Sequence, residues 1–488
     1  MSKRPSAICT AAVLLLAGGA ASAQQAGSLR EAVEKAIATH PDVSARFNAY
    51  RASIDAVSAA RAAFLPRIDL NASLGKDSDR ISSRNPASQT LTRSSAGASV
   101  SQLLWDGLGT QNEVQRLSHD QLARYFELVD STEQVALEAA RAHYDVMRMR
   151  RLVRLAEDNY VQHRYSVLQI QSRVKAGVGR GVDLEQASAR LALAESNLST
   201  ETSNLHDVSA RYQRIVGDAA PPTLASIGLL ERGVPSSATE AMTAAVQRNA
   251  GISASIENLR AARARVENRK AAYQPRIEAR LRTSAGHHVD GVRDQSRDSA
   301  AEVVLNWNLY SGGADQARIR EQAHLVNQAA DQRDSACRDA RQSAAIAFND
   351  TRKLSEQLAL LERNSLAIEK ARDAYRQQFE IGQRSLLDVL NSESELYTAR
   401  RSYVNAEHDL ALAYARAHAS MNQLSAQLGL RGADPARADA ASWTQGDDAP
   451  LRCNVSSVAL VTTDLTELDA RAKGMADGAP AGPPARKP

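Results

Sequence analysis

The chain has 488 residues, of which only 4% are aromatic and 24% are charged. Its 60 basic and 56 acidic side chains nearly balance, so no excess of positive charge indicates a nucleic-acid partner. The aromatic residues are few for several globular cores, and alanine-rich helices packed side by side fit the composition better.

The N-terminus has the three parts of a secretory signal peptide. Two basic residues precede an apolar stretch at residues 11–16, and Ala21-Ser22-Ala23 follows as a cleavage site. Residues 1–23 are therefore predicted to be removed. A lipid anchor would need a cysteine at the cleavage point, whereas Cys9 lies inside the removed segment, so no lipid anchor is expected.

The first predicted elements are a helix over residues 28–64 and an amphipathic strand after it. Ser28 lies three residues before Glu31, which is a capping-box pattern. Pro66 ends helical geometry, and apolar and polar residues alternate over residues 68–74, as in a strand with one apolar face.

A polar loop at residues 76–95 and a second strand at residues 96–105 come next. The second half of the chain repeats this order from Ile277, with His287-His288 in the corresponding loop. The alternation again predicts two strands that are apolar on one face and polar on the other.

Amphipathic strands of about ten residues with aromatic residues at one end are typical of a transmembrane barrel. The aromatic residues here are Trp105, Trp307 and Tyr310, which are predicted to lie at the membrane interface. The mature chain has no apolar stretch of about 18 residues, so a membrane crossing would have to use strands. Four strands cannot close a barrel, so several copies are needed, and three copies give twelve strands. The alternative is a soluble hairpin packed on its own helices.

Two runs, residues 110–176 and 314–381, contain no Gly and no Pro and are predicted to be very long helices. At about 1.5 Å per residue, an unbroken helix of that length reaches roughly 100 Å. Their apolar residues recur in alternate steps of four and three, which is heptad packing. These positions are Val135, Ala139, Ala142, Val146, Met149, Val153, Ala156 and Tyr160 in the first run, and Ala340, Ala344, Ala347, Thr351, Leu354, Leu358, Leu361, Ser365 and Ile368 in the second.

A glycine and, six residues later, an aspartate follow each run, and their constant offset indicates a tandem duplication. Gly382 lies 205 residues after Gly177, and Asp388 lies 205 residues after Asp183. Each half is predicted to form an antiparallel coiled-coil hairpin joined by its Gly-to-Asp turn. The predicted organisation is a signal peptide at 1–23, a first repeat at 24–218, a linker at 219–237, a second repeat at 238–430 and a disordered tail at 431–488.

The flanks of these hairpins are rich in Ala, Ser, Gln and Arg, which suits helices that face a wet interior. A solvent-filled helical tube therefore fits the composition. A solid periplasmic helical bundle or scaffold is the alternative that the heptads alone allow.

Short motifs recur at matching places in the two halves. Pro66-Arg67 and Pro275-Arg276 stand at the first strands, and Trp105-Asp106-Gly107 and Tyr310-Ser311-Gly312 follow the second strands. Together with the duplicated order of strand, loop, strand and long helix, and with the two turns, residues 28–430 resemble the outer-membrane efflux protein family. This family comprises the TolC-like trimeric channel-tunnels of Gram-negative bacteria.

The resemblance implies a fold that is mainly α with a β-barrel portion. Each chain would contain tandem-duplicated long α-helical coiled-coil hairpins plus four transmembrane β-strands. A homotrimer would form a 12-stranded barrel in outer-membrane lipid and a helical tunnel in the periplasm. The implied partners are a periplasmic adaptor and an inner-membrane ABC transporter or proton-driven pump.

The resemblance also implies a periplasmic gate, where the turns at Gly177 and Gly382 close the inner end of the tunnel. Asp183 and Arg384 correspond to a carboxylate and a guanidinium that would pair across this entrance. Read from the residues alone, Asp183 is a helix N-cap after a turn and Arg384 is a solvated charge, and both roles are compatible with gating.

Three further positions belong to the implied gate. Phe379 stands where many relatives have a tyrosine, and it lacks the hydroxyl group for one of the gate hydrogen bonds. Asp388 would line the constriction as a ring of three carboxylates, unless N-capping is its whole role. Asn391 occupies a second acidic position of the family, so cation block should be weaker than with two charged rings.

The sequence carries no sign of catalysis. No Gly-rich phosphate loop, HExxH helix, GxSxG elbow or CxxC pair occurs, so an enzyme is not expected. His287-His288 is incomplete as a metal site, and neither a metal nor a cofactor is expected.

The C-terminal tail is rich in Ala, Asp, Gly and Pro and is expected to be mostly disordered. An apolar run at residues 455–461 is a candidate for docking against the tube. Cys453 in the tail and Cys337 on the second long helix show no spacing of a disulfide framework, so they are predicted to be an incidental thiol and a packed one.

A passive duct would take its energy from the inner-membrane partner. Two cargoes are compatible with it, unfolded protein as in type I secretion or small toxic molecules as in drug efflux. The chain is expected to have no lipid anchor, and in this it resembles the secretion branch of the family more than the lipoprotein efflux branch. This resemblance favours type I protein secretion. A soluble periplasmic coiled-coil scaffold with no pore is the alternative from a different class.

Overall fold

A computed structural model describes residues 27–225, 228–289, 294–430, 451–455 and 463–476, so the predicted signal peptide and most of the tail lie outside it. Within these ranges the same order of elements occurs twice. The first set is α1 (Leu29–Thr39), α2 (Pro41–Arg61), β1 (Arg67–Arg80), β2 (Ser88–Trp105), α3 (Gly109–Lys175) and α4 (Gly181–Val216). The second set is α5 (Ala238–Arg248), α6 (Ala250–Lys270), β3 (Arg276–His287), β4 (Gln295–Asn306), α7 (Ala314–Glu380) and α8 (Leu386–Ser420), and α9 (Leu424–Gln427) and α10 (Leu465–Ala476) follow.

The prediction of one helix over residues 28–64 is wrong, because the chain breaks between α1 and α2. His40 has extended backbone angles, and Pro41 is the first residue of α2. A residue before proline avoids the helical region, while proline suits the first helical position. The capping box is confirmed, since Ser28 and Glu31 exchange both of its hydrogen bonds.

The four strands form one antiparallel sheet in the order β1-β2-β3-β4. The predicted loop at residues 76–95 is much shorter than expected, because β1 continues to Arg80 and β2 begins at Ser88. Apart from Leu91, the residues at these strand ends are polar or glycine on both faces, so the ends lack the alternation that marks a half-buried strand. Backbone pairing holds them, with partners from Gly75↔Arg93 to Arg80↔Ser88.

The register gives the sheet one apolar and one polar face. Ile68 lies opposite Val100, which lies opposite Leu281, and direct partners share a face. Exposed apolar side chains on this face are Ile68, Leu70, Leu74, Leu281, Val303 and Leu305. The other face carries Arg67, Asp69, Arg280, Arg282, Asp298 and Glu302, which form ion pairs along and across the strands.

The three aromatic residues predicted to lie at the membrane interface are exposed at the end of the sheet that meets the helices. Trp105 is the last residue of β2, whereas β4 ends at Asn306, so Trp307 and Tyr310 follow the strand and do not belong to it. Trp307 Nε1 donates a hydrogen bond to the carbonyl oxygen of Tyr273, 3.1 Å away. Their placement at a membrane interface stays a prediction.

The long helices pair as predicted, α3 with α4 and α7 with α8, and the heptad positions face inward. Val135, Ala139 and Val146 of α3 are buried in one large core, and Ala340 and Ala344 of α7 are buried against α6 and α5. The main core surrounds α3 where α1, α2, α8 and the end of α4 cover it. None of the described helices contains an apolar stretch of the length that a membrane-spanning helix needs.

The prediction of two unpaired cysteines is wrong. Cys337 on α7 and Cys453 in the tail form a disulfide. The two residues are 116 positions apart, so no local sequence pattern indicates that they are bonded. Part of the tail is helical, as α10, and residues 451–455 pack against the second repeat. Disorder in the remainder of the tail concerns residues outside the described ranges and stays a prediction.

Candidate functional site at the helix tips

Two glycine turns end the long helices farthest from the sheet. Gly177 and Gly382 have φ angles of 76° and 79°, a left-handed conformation that glycine adopts without a steric penalty. Their N–H groups donate to the carbonyl oxygens of Val174 and Phe379, each at 3.0 Å. In both turns the glycine N–H therefore hydrogen-bonds a carbonyl group of the last helical turn, and the chain reverses its direction.

Arg384 is held by its own hairpin. Its Nε donates to Gln378 Oε1 at 3.1 Å, and its guanidinium carbon lies 4.5 Å from the centre of the Tyr375 ring. Its Nη1 also lies 3.7 Å from Asp388 Oδ2. Contacts within one chain are therefore sufficient to orient the Arg384 guanidinium at the turn.

Asp388 belongs to a capping box at the start of α8. Ser385 is the N-cap, and Asp388 Oδ2 accepts hydrogen bonds from the Ser385 hydroxyl at 2.9 Å and the Ser385 N–H at 3.3 Å. The hydroxyl hydrogen bond, assisted by Arg384, lowers the pKa of Asp388. Ser385 therefore caps the helix, and Asp388 is kept as a carboxylate.

Asp183 is the corresponding residue of the first turn, and its neighbours differ. Its Oδ2 lies 3.6 Å from Nε of Arg180, the N-cap residue, whose side chain makes no capping hydrogen bond. In the described part of a single chain, the ion-pair partner of Asp183 is thus Arg180. Pairing of Asp183 with Arg384 stays a prediction.

A small apolar cluster, here called the tip cluster, joins the two hairpins just above the turns. Phe379 packs against it, and the guanidinium carbon of Arg173 on α3 lies 5.1 Å from the centre of the Phe379 ring. This cation–π contact connects α3 with α7 where the family gate hydrogen bond was expected to be missing. The buried members of the tip cluster are Val167, Ile170, Ala187, Leu191, Leu386 and Leu390.

Asn391 also joins the two hairpins. Arg190 Nη2 on α4 donates to Asn391 Oδ1 on α8 at 2.9 Å. An uncharged amide at this position therefore has a structural partner within one chain.

Sequence reasoning missed a buried ionic centre above the tip cluster. The Glu393 side chain is only 7% exposed and accepts from Arg372 Nη1 at 3.1 Å and Arg376 Nη2 at 2.7 Å. Arg376 Nη2 also donates to Gln162 Oε1 of α3 at 2.8 Å. A usable signal existed, because Arg372 and Glu393 stand nearly equidistant from Gly382, and a helical hairpin brings such positions to the same height.

More ion pairs connect the hairpins farther from the tips. Their guanidinium and carboxylate groups lie on facing helices. All of these groups are partly exposed in the single chain except the carboxylate of Glu201, which is buried, and each of the partly exposed pairs alone contributes little. They are Arg401 with Glu201, Arg151 with Glu407 and Arg148 with Asp409.

The tips thus contain hydrogen-bond, ionic and cation–π links between two long hairpins. Such links form and break without covalent chemistry, and charge-assisted ones fix geometry as well as strength. The arrangement suits a mechanical closure that a change of helix position releases.

Comparison with known proteins agrees with this geometry. The family model described as outer membrane efflux protein matches residues 32–218 and 241–423. The outer membrane efflux protein BepC of Brucella suis is 27% identical over 86% of this chain and 91% of its own length. The outer membrane protein TolC of Vibrio cholerae is 25% identical over 84% and 94%.

A third relative has a name that concerns secretion. The proteases secretion protein PrtF of Dickeya chrysanthemi is 22% identical over 83% of this chain and 89% of its own length. Among solved structures, the CmeC outer membrane channel of Campylobacter jejuni superposes with a TM-score of 0.75 at 13% identity, over 87% of this chain and 90% of that one. This likeness supports the fold.

These matches confirm the predicted fold class, mainly α with a β-barrel portion, and the location in the outer membrane with a helical tunnel in the periplasm. They do not support the alternative of a soluble periplasmic scaffold. The family model covers more than half of the residues and both halves of the chain. The chain belongs to the outer membrane efflux protein family.

Proposed function

We propose that this chain is the exit duct of a tripartite export system. As a homotrimer, it passively conducts cargo from an inner-membrane pump to the exterior, and a periplasmic adaptor connects the two. The pump is an ABC transporter or a proton-driven transporter, which supplies the energy.

The observation that carries this proposal is the uncovered apolar face of the sheet. Leu70 is 84% exposed and Leu74 is 79% exposed in the single chain. In the described chain β1 and β4 are the outer strands, so each has one edge without a strand partner. Unpaired backbone groups in lipid cost several kcal/mol each, so a ring of copies that pairs β1 with β4 is required.

The helices give this ring its length and its closure. α3 and α7 each contain 67 residues, which is roughly 100 Å of helix. The proposed gate at their far end consists of Asp183, Phe379, Arg384, Asp388 and Asn391, with Asp388 forming a ring of three carboxylates.

The cargo that we propose is protein, in type I secretion. This is supported by the likeness to PrtF over most of both chains, since PrtF is named for protease secretion. The second candidate is efflux of small molecules, and the likeness to BepC supports it because BepC is named an efflux protein.

Gene deletion separates the two cargoes. The deletion strain and a strain complemented with the wild-type gene are compared for released proteins and for susceptibility to dyes, detergents and antibiotics. Loss of a secreted protein with unchanged susceptibility supports type I secretion. Raised susceptibility with intact secretion assigns the chain to efflux and overturns the proposed cargo.

A further inference from the structure

The second repeat has two small cores beside α7, and both involve the short helices α5 and α6. Met242 and Ala245 of α5 are buried with Ala344 of α7. Ile252 and Ile256 of α6 are buried with Cys337 and Ala340 of α7. The main core around α3, by contrast, is one large cluster to which both repeats contribute. α7 is therefore held to its neighbours by a limited apolar surface.

Residues 451–455, here called the strap, lie across both small cores. Leu451 and Cys453 pack against the α6 core, and Val455 packs against the α5 core. Cys453 is bonded to Cys337. The strap thus bridges the two cores and is attached covalently between them.

Polar contacts fix the same five residues to all three helices. Arg452 Nη1 donates to the carbonyl oxygen of Val246 at 2.8 Å, near the end of α5, where helical carbonyls lack partners within the helix. Arg452 Nη2 donates to Ser253 Oγ at 3.0 Å on α6. Arg341 Nη1 of α7 donates to the carbonyl oxygen of Asn454 at 2.9 Å.

We infer that residues 451–455 are a redox-dependent covalent strap that clamps α7 to α5 and α6 in the half of the helix nearer the sheet. Cys337 lies about 35 Å along α7 from its start at Ala314 and about 65 Å from its end at Glu380, at about 1.5 Å per residue. The buried side chains of α7 lie between Gln322 and Thr351. The clamp therefore fixes the base of α7 and leaves its tip half unclamped.

Closing the strap is a balanced thiol–disulfide exchange. The thiols of Cys337 and Cys453 lose two protons and two electrons as the S–S bond forms. A disulfide carried by an oxidoreductase of the same compartment takes them up and becomes a dithiol. The periplasm is an oxidising compartment in which such bonds form and persist.

The first test is alkylation of the purified full-length protein, read by mass spectrometry. We expect Cys337 and Cys453 to resist alkylation until a reductant is added, and both to react afterwards. Alkylation of both thiols in unreduced protein would overturn the strap.

The second test is amide hydrogen exchange on the wild type, with and without reductant, and on Cys337→Ser, Cys453→Ser and the double variant. Reduction should speed exchange in α5, α6 and the sheet-proximal half of α7, and leave the tip turns unchanged. The exchange rates of the three variants should equal those of the reduced wild type and should not change when the reductant is added. The wild type alone decides the question if a variant does not fold, and an unchanged exchange rate on reduction excludes a clamping role.

Arg452→Gln separates the polar contacts from the disulfide. It should speed exchange at the end of α5 while Cys337 and Cys453 stay bonded. Exchange equal to the wild type in α5 would show that Arg452 is not part of the clamp. None of these measurements depends on cargo or gating.

Discussion

At the tips, Phe379 shows how a side chain without a hydroxyl group still links two hairpins. The electron-rich face of the ring attracts the guanidinium of Arg173 at 5.1 Å, a contact that contributes about 0.5–2 kcal/mol depending on solvent exposure. The ring also packs against the tip cluster, so it serves both an apolar and an electrostatic contact.

Phe379→Leu keeps the apolar packing and removes the aromatic face. We expect a higher single-channel conductance in planar bilayers, because the link from α3 to α7 is lost. Phe379→Trp should stay near the wild type, since Trp is a better cation–π partner.

Arg173→Met is the matched change on the other side of this contact. It should raise conductance by the same amount as Phe379→Leu, and the double variant should add little, as expected for one shared interaction. Conductance at the wild-type level in Phe379→Leu would mean that the contact does not restrain the gate.

Protonation of His143 should lower the stability of the folded chain. Burial, with a smaller contribution from Arg150, lowers the pKa of His143 to about 4 from an ordinary value of 6.5. The unfolded chain therefore binds a proton between these values while the folded chain does not, so stability falls as pH drops from about 6.5 to about 4. The loss is on the order of 3 kcal/mol.

Unfolding of the wild type and of His143→Asn should be measured at pH 7.5, 5.5 and 4.5. The variant should have a lower stability at pH 7.5 and a weaker dependence on pH. If both proteins lose stability equally on acidification, His143 is not the titrating group.

Among the elements, the edge strand β1 has the face that a bilayer must cover. Leu70→Arg places a charge on that face, which costs about 2–4 kcal/mol near the middle of a membrane. We expect much less folded channel in the outer membrane of cells that carry it.

Ser73→Arg is the matched control, because residue 73 lies on the opposite, polar face of the same strand, where its hydroxyl contacts Ser95. Its amount in outer-membrane fractions should stay near the wild type. Equal amounts of the two variants would mean that the face of Leu70 does not meet lipid.

How far the sequence predicts each element depends on where its signal lies. The long helices and their turns were predictable, because the absence of Gly and Pro and the glycines at 177 and 382 are local features. The ends of β1 and β2 were not, because Ser, Thr and Asp there form a ladder through the backbone. The contact of Arg173 with Phe379 and the disulfide of Cys337 with Cys453 join residues far apart in sequence, so only the packed structure reveals them.

For the whole molecule, the proposed ring determines which residues meet between copies. Asp183 contacts Arg180, and Arg384 contacts Asp388, within one chain, so both members of the predicted pair are already oriented at the tips. In the proposed trimer they would pair across the entrance and hold it shut.

Asp183→Ala combined with Arg384→Ala should raise single-channel conductance, because it removes both charges of this pair. Arg180→Ala is the control, since it removes only the partner of Asp183 within the chain and should change conductance less. A double variant with the conductance of the wild type would remove these residues from the gate.

The paired ladders of the sheet differ in length, and in the proposed channel this difference would shape the end of the barrel. In the described ladders, β2 pairs with β3 only from Ser94 onward, whereas residues 88–93 pair with β1, so the β1–β2 ladder continues past the β2–β3 ladder by about 20 Å at 3.3 Å per residue. In the proposed ring, the longer β1–β2 ladder would give the rim one projection for each copy. Residues 81–87 connect β1 to β2 at this end, so in the proposed channel an epitope inserted there would allow an antibody to label intact bacteria.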